Sequence, residues 1–218
     1  MNELTKIDYE QLYKNCVYSS IAHAIFTLKE PFFSYTQSWD DYNYSFHHGT
    51  TRGTLSFYKN DRIVVGAARD EHSTRRKLYP NYDAIKLFAE ASEQIKALAL
   101  QDPLEYLYDE EEDVVKPIAS IGFWLDRGSL SSSDSIEEFN INGGAYVFII
   151  SQSFDTLMQY WRDEYQFSDD EMAVVNQIYS SWEQNRKIDV KDVKRVINKK
   201  CVGFNECIVS LNEIGILL

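Results

Sequence analysis

The sequence predicts an α+β protein: an antiparallel sheet (a meander at 33–69 plus later strands near 118–126 and 145–150) packed with helices, and a helical C-terminal third. Three observations predict it. Residues 8–29 carry apolar side chains three and four apart, the period of a helix with one buried face. Residues 32–69 change to a period of two, rich in aromatics and broken by short turn signals. From residue 153 onward every periodic segment is helical again.

Asp8 is placed to cap the first helix, with Gln11 in the capping-box position. Tyr9, Leu12, Tyr13, Cys16, Val17, Ser20, Ile21, Ala24, Ile25 and Leu28 line its apolar stripe. Pro31 ends it, because an internal proline loses a hydrogen bond and clashes with the preceding turn. Alternation then predicts strands at 33–39, 42–46 and 54–58, with a more buried one through Ile63, Val64 and Val65. Asp40-Asp41, Gly49 to Gly53 and Asn60-Asp61 are the turns between them, short enough to require an antiparallel meander.

Residues 70–80 read as a charged loop and 82–100 as a second helix, through Ile85, Phe88, Ala89, Ala91, Ile95 and Leu98. Pro103 and the acidic run 109–113 read as a solvated surface loop. A strand is expected at 118–126. Ser131 to Asp134 are expected to cap a short helix through Phe139, and Gly143-Gly144 to turn the chain into a buried strand at 145–150. Ser153 and the Ser168/Glu171 capping box open two helices; Val190, Val193, Val196 and Ile197, then Phe204, Ile208, Leu211 and Ile214, mark two more. The expected division is an α+β domain at 1–152 and a helical part at 153–218. Only a change of period separates them, so one body and two domains both fit.

The 218 residues carry a net charge of −12. That balance opposes non-specific nucleic-acid binding, which needs clustered Lys and Arg, and docking on anionic lipid; it favours a basic protein partner. Cys16, Cys201 and Cys207 form no disulfide framework and suit a reducing compartment. The N-terminus is polar and acidic, and no apolar run approaches the roughly 18 residues of a membrane helix. The expectation is a cytoplasmic protein without membrane contact.

The residues offer little catalytic chemistry. Cys16 and His23 would need to meet as thiolate and base. Cys16 sits mid-helix in the apolar stripe, with His23 about 10 Å along the axis. His47, His48 and His72, with Asp70 or Glu71, match no metal spacing, and His47 and His48 must point to opposite strand faces. Gly143-Gly144 lacks the surroundings of a phosphate loop, and Ser131 to Ser135 lacks a nucleophile elbow. No catalytic residue, metal ligand or cofactor is therefore expected. An enzyme site near His47, His48, Asp70 and His72 stays as one alternative. A DNA-binding regulator through a helix-turn-helix-like 186–214 stays as another, although its second helix has no Arg or Lys to read bases.

Aromatic residues are the unusual feature: 15 Tyr, 12 Phe and 4 Trp, many within the meander. Either a helix (8–29 or 82–100) covers the outer sheet face, or that face is open. In the second case Trp39, Tyr42, Tyr44 and Tyr58 are the expected partner-binding residues.

Ser38-Trp39-Asp40-Asp41-Tyr42-Asn43-Tyr44, Thr51-Arg52-Gly53-Thr54-Leu55-Ser56-Phe57 and Val64-Val65-Gly66-Ala67-Ala68-Arg69-Asp70 resemble segments of a group of uncharacterised bacterial proteins. Phe123-Trp124, the Ser-Asp-rich turn, Gly143-Gly144 and Glu164-Tyr165 extend the resemblance over 33–185. It implies no activity. The small acidic α+β layout is also similar in composition to immunity proteins of bacterial toxin systems, which neutralise toxins by binding; that likeness assigns no residues. The leading expectation is a non-enzymatic protein-binding module, of immunity type.

Overall fold

The computed structural model describes residues 1–111, 114–188 and 193–217. Two compact units are present: Met1–Leu12 with Asp40–Ser151, and Tyr13–Trp39 with Gln152–Leu218. The change of period near 152 coincides with one of their limits, while residues 13–39 belong with the C-terminal helices.

The chain forms a seven-stranded antiparallel sheet of order β1-β9-β8-β5-β4-β3-β2, and apart from Gln37–Trp39 of β2 its residues belong to the first unit. Its strands are β1 (Asn2–Lys6), β2 (Gln37–Asp40), β3 (Asn43–His48), β4 (Thr51–Tyr58), β5 (Ile63–Asp70), β8 (Ile121–Asp126) and β9 (Ser129–Ser132). The meander β2 to β5 is the one its alternation predicts. Register explains why: Tyr44 faces Leu55, Gly66 and Phe123 in succession across the sheet, while Asn43 faces Ser56, Val65 and Trp124. A slip of one residue would exchange these two faces.

Both faces are buried. On the first, Tyr9 meets Phe57 edge-on at 5.9 Å, Tyr146 stacks on Phe46 at 4.3 Å, and Phe139 meets Phe123 at 5.9 Å. On the second, Ile63, Val65, Ala67 and Trp124 pack with Leu87, Phe88, Ile95, Ala99 and Leu104. Each fully buried aromatic or aliphatic side chain contributes about 1.5–3 kcal/mol.

Several elements differ from their sequence reading. The strand expected at 33–39 begins only at Gln37; Pro31–Thr36 is a 3-10 turn with Pro31 in its first turn and no buried residue, so its alternation has no core to face. The charged loop at 70–80 contains a short helix, α2 (Thr74–Leu78), whose cap is Ser73. The helix expected at 82–100 is two pieces, a 3-10 helix Ala84–Phe88 capped by Asp83 and α3 (Glu93–Gln101) capped by Ser92. Two capping side chains nine residues apart start two helices where apolar spacing suggests one.

The acidic loop is a hairpin, β6 (Tyr108–Glu111) with β7 (Val114–Pro117); Glu112 and Asp113 of the acidic run lie outside the described residues. Arg52 and Arg69 stand opposite each other on β4 and β5, and Asp109 bonds both, which relieves their repulsion. Ser129–Ser132 is a strand, and the helix cap is Ser135. It forms a complete capping box with Glu138 at the start of α4 (Ile136–Phe139). The apolar run at 145–150 is a helix, α5 (Ala145–Ile150), not a strand; a six-residue apolar run carries no period that separates the two, and the chain enters it already helical.

Between α4 and α5 the chain makes a wide turn, Asn140–Gly144, in which Gly143 has φ 117°. A Cβ there would sit 2.8 Å from the Cβ of Asp70, so the position needs glycine for conformation and for space. Polar groups fasten this turn to the sheet. Ser120 Oγ donates to Asn142 O at 2.6 Å, and Ser73 Oγ and the Arg75 backbone N–H both donate to Asn142 Oδ1. The Arg75 guanidinium forks onto Asp134 at 2.8 and 2.6 Å, with both side chains largely buried.

The second unit contains most of α1 (Tyr9–Thr27) with α6 (Phe154–Glu164), α7 (Asp169–Glu183) and α8 (Phe204–Glu213). The expected caps hold: Ser153 caps α6, and Ser168 with Glu171 forms a capping box on α7. Ser19 and Ser20 bond back to the carbonyls of Asn15 and Cys16, and their hydroxyls then accept the indole N–H groups of Trp161 and Trp39, each at 2.8 Å. Gly203 packs so closely on α1 that a Cβ would lie 1.7 Å from Thr27 O. Val193 and Ile197 are buried as their spacing suggests, while Val190 lies outside the described residues.

Asp134→Ala strands a buried guanidinium and should cost about 3–5 kcal/mol in urea unfolding. Replacing both partners by leucine should cost less than the single change. Equal additive losses would show that the pair is not a coupled unit.

Candidate functional site

The turn from β2 to β3 places Asp40 at the end of a strand and holds Asp41 in a left-handed conformation, φ 55°. Tyr42 and Asn43 follow. At the far end of the neighbouring hairpin strand, Tyr58 lies beside Tyr42, ring centroids 5.6 Å apart. Asp102 caps the C-terminus of α3, and the next turn, Glu105–Leu107, carries Tyr106. These residues form one cluster in the first unit.

Its hydrogen bonds run from tyrosines to carboxylates. Tyr58 Oη donates to Asp102 Oδ2 at 2.5 Å and Tyr42 Oη to Asp102 Oδ1 at 3.1 Å. Tyr106 Oη donates to Asp40 Oδ2 at 2.6 Å and accepts from Asn43 Nδ2 at 3.4 Å. Asp102 is buried at 8% exposure, and no Lys, Arg or His forms an ion pair with it or with Asp40 among the described residues. Both carboxylates are held by phenolic hydroxyls.

The electrostatics agree. Burial, then the hydrogen bond to Asp102, pushes the Tyr58 and Tyr42 hydroxyls up. Burial and the bond to Asp40 push Tyr106 up to about 12, and Asp102 adds to that effect. The tyrosines therefore stay protonated as donors and cannot serve as nucleophiles near neutrality. The cluster offers negative charge, acceptor oxygens and aromatic faces, which together favour a cation.

The residues singled out in the sequence fall in different places. Tyr42 and Tyr58 belong to the cluster. Tyr44 does not face a partner: it is fully buried, with its hydroxyl 2.5 Å from that of Tyr146, because helix α5 covers its side of the sheet. Trp39 is half-buried in the second unit, against Tyr13 and Ser20, with its backbone N–H on Glu213. Asp40, Asn43, Asp102 and Tyr106 were missed as site residues. Asp40 and Asn43 carried turn and strand signals, and Asp102 and Tyr106 carried none, since their role exists only once α3 crosses the sheet.

His47 is exposed opposite Arg52, His48 half-buried with its ring 5.2 Å from that of Tyr146, and His72 exposed. Asp70 accepts from Thr50, Thr51 and the His72 backbone, which holds the turn beside Gly143. Among the described residues no group of three or more His, Cys, Asp or Glu is placed to hold a metal ion. Cys16 is fully buried and burial raises its thiol well above the usual range, in keeping with a core residue.

In the C-terminal stretch Arg195 pairs with Asp170 at 3.1 Å, and Lys191 lies outside the described residues. A cleft of about 510 Å³ in the second unit is lined by Trp182, Ile188, Ile216 and Leu217 together with Asn185, Arg186 and Lys187, a largely apolar lining with two cations at its side. No described helix is long and apolar enough to cross a membrane. Compared with known proteins, the chain matches no family model, no curated protein and no solved structure.

His23 is buried in the second unit, its Nδ1 3.1 Å from Tyr165 Oη and its Nε2 3.1 Å from Phe33 O. Burial lowers it to about 4 from the ordinary 6.5, outweighing the two backbone hydrogen bonds that act the other way. The unfolded chain therefore takes up a proton between these values that the folded chain does not. The contribution of neutral, buried His23 to stability is complete above pH 6.5, falls as pH drops and levels off below about 4, a total of about 3 kcal/mol. The stability gap between the native protein and His23→Gln should narrow by about that amount from pH 7 to pH 4. A constant gap in urea midpoints would show that His23 does not titrate in this range.

Proposed function

We propose that the protein is a non-enzymatic, cytoplasmic binding protein of immunity type, which captures a basic protein partner on the Asp40, Tyr42, Tyr58, Asp102 and Tyr106 cluster. The observation that carries this reading is the pair of carboxylates held by tyrosine hydroxyls with no cation in ion-pair contact among the described residues. A partner's Lys or Arg can approach this surface without first breaking an internal ion pair. The net charge of −12 supports it by speeding encounter with a basic surface. Tyrosine supports it as well, giving a large contact area at low entropic cost.

The likeness in layout to toxin-system immunity proteins suits the same reading, as does the resemblance of segments around the cluster to bacterial proteins. Neutralisation would then follow from occupancy alone, with no chemistry at the site.

Tagged protein and its Asp40→Lys variant, incubated side by side with native lysate at moderate salt, test this. The expected result is one basic protein retained in stoichiometric amount by the native chain and lost from the variant, which alters an exposed residue and should fold normally. Retention of the same partner by both proteins, or of no basic partner by either, would contradict it.

A further inference from the structure

Two helix ends meet at the cleft of the second unit. Helix α7 closes with Asn185 in the left-handed region, φ 51°; its N–H bonds Trp182 O at 3.0 Å, and the Arg186 N–H bonds Ser181 O at 2.8 Å. Helix α8 closes the same way at Gly215, φ 75°, with the Ile216 N–H on Leu211 O at 2.9 Å. This pattern satisfies carbonyls of each helix end within its own backbone. Asn185, Arg186, Gly215 and Ile216 all line the cleft, which measures about 510 Å³. That volume suits a small organic molecule.

The lining has two chemistries. Trp182, Ile188, Ile216 and Leu217 are apolar, and Leu217 is exposed. Arg186 and Lys187 are exposed cations with no ion pair among the described residues. The acidic residues that end the two helices are engaged: Glu183 pairs with Lys14 at 2.7 Å, and Glu213 accepts the Trp39 backbone N–H at 3.1 Å. Each helix C-terminus carries about half a negative charge, so two full cations outweigh both ends and leave about one positive charge. The indole N–H of Trp182 has no acceptor among the described residues, whereas those of Trp39 and Trp161 donate to Ser20 and Ser19.

We infer that the cleft binds a monoanionic amphiphile, a medium-chain alkyl carboxylate. The apolar residues receive the chain. Arg186 and Lys187 receive the head, since a guanidinium forks onto a carboxylate. A phosphate monoester carries about two charges and exceeds the one available. The cleft shares no residue with the tyrosine–carboxylate cluster, so its occupancy is independent of partner binding there.

NMR titration of the full chain with sodium octanoate, below micelle-forming concentration, tests the site. The Trp182 indole N–H signal is identified by its loss in Trp182→Phe. Octanoate should shift it saturably and leave the Trp39 and Trp161 indole signals in place. Hexanoate should bind about tenfold more weakly, because each buried methylene is worth a factor of about four. Octylammonium, with the same chain and the opposite charge, should not bind. Arg186→Gln combined with Lys187→Gln alters exposed side chains only; it should weaken octanoate about tenfold with the rest of the spectrum unchanged. An unmoved Trp182 signal, equal binding of hexanoate or octylammonium, or octanoate binding untouched by the double substitution would overturn the site.

Discussion

The sheet is buried on both faces, and this constraint organises the first unit. Each central strand must divide its side chains between two cores, so alternate residues are apolar for different reasons. Tyr44, Phe46 and Phe57 serve the face covered by α4, α5 and Tyr9; Val65, Ala67 and Trp124 serve the face covered by α3 and the 3-10 helix before it. A sheet covered on one side would leave one of these sets in water. Double coverage explains why so many aromatics in the meander do not produce an aromatic surface.

The same constraint makes the wide turn before α5 necessary. To lay α5 on the sheet the chain must reverse beside Asp70, where only glycine fits at 143, and the exposed peptide groups of that turn must find partners. Ser120, Ser73, Arg75 and Asp134 supply the partners and anchors. Thr51, Asp70, Asp134 and Gly143, distant in the chain, thus meet in one polar fastening. The candidate site lies elsewhere, where α3 ends over the β2–β3 turn. There the coverage stops, and tyrosine hydroxyls take over from apolar packing.

What could be read in the sequence follows from how local the signal is. The meander was legible because alternation, Asp40-Asp41, Gly49 and Asn60-Asp61 are all short-range, and the caps at Ser153 and Ser168 for the same reason. Residues 145–150 were not, because six apolar residues suit a strand or a buried helix equally. Residues 82–100 were not, because apolar spacing continued across two separate caps. Of the site, Tyr42 and Tyr58 were legible as strand aromatics near a turn. Tyr44, two residues from Tyr42, shares its signal but points to the other core. Asp102 and Tyr106 depend on a crossing of elements roughly sixty residues apart in the chain, and no local pattern records that.

Hydrogen exchange of the protein alone and with its captured partner tests most directly whether the tyrosine–carboxylate cluster is the binding surface. Added protection should be confined to residues 40–43 and 102–108, with the buried strands β4 and β5 unchanged. Protection that instead appears at Pro31–Thr36 and α8, where Phe32, Tyr35 and Val209 are exposed, would place binding on the second unit and contradict the account.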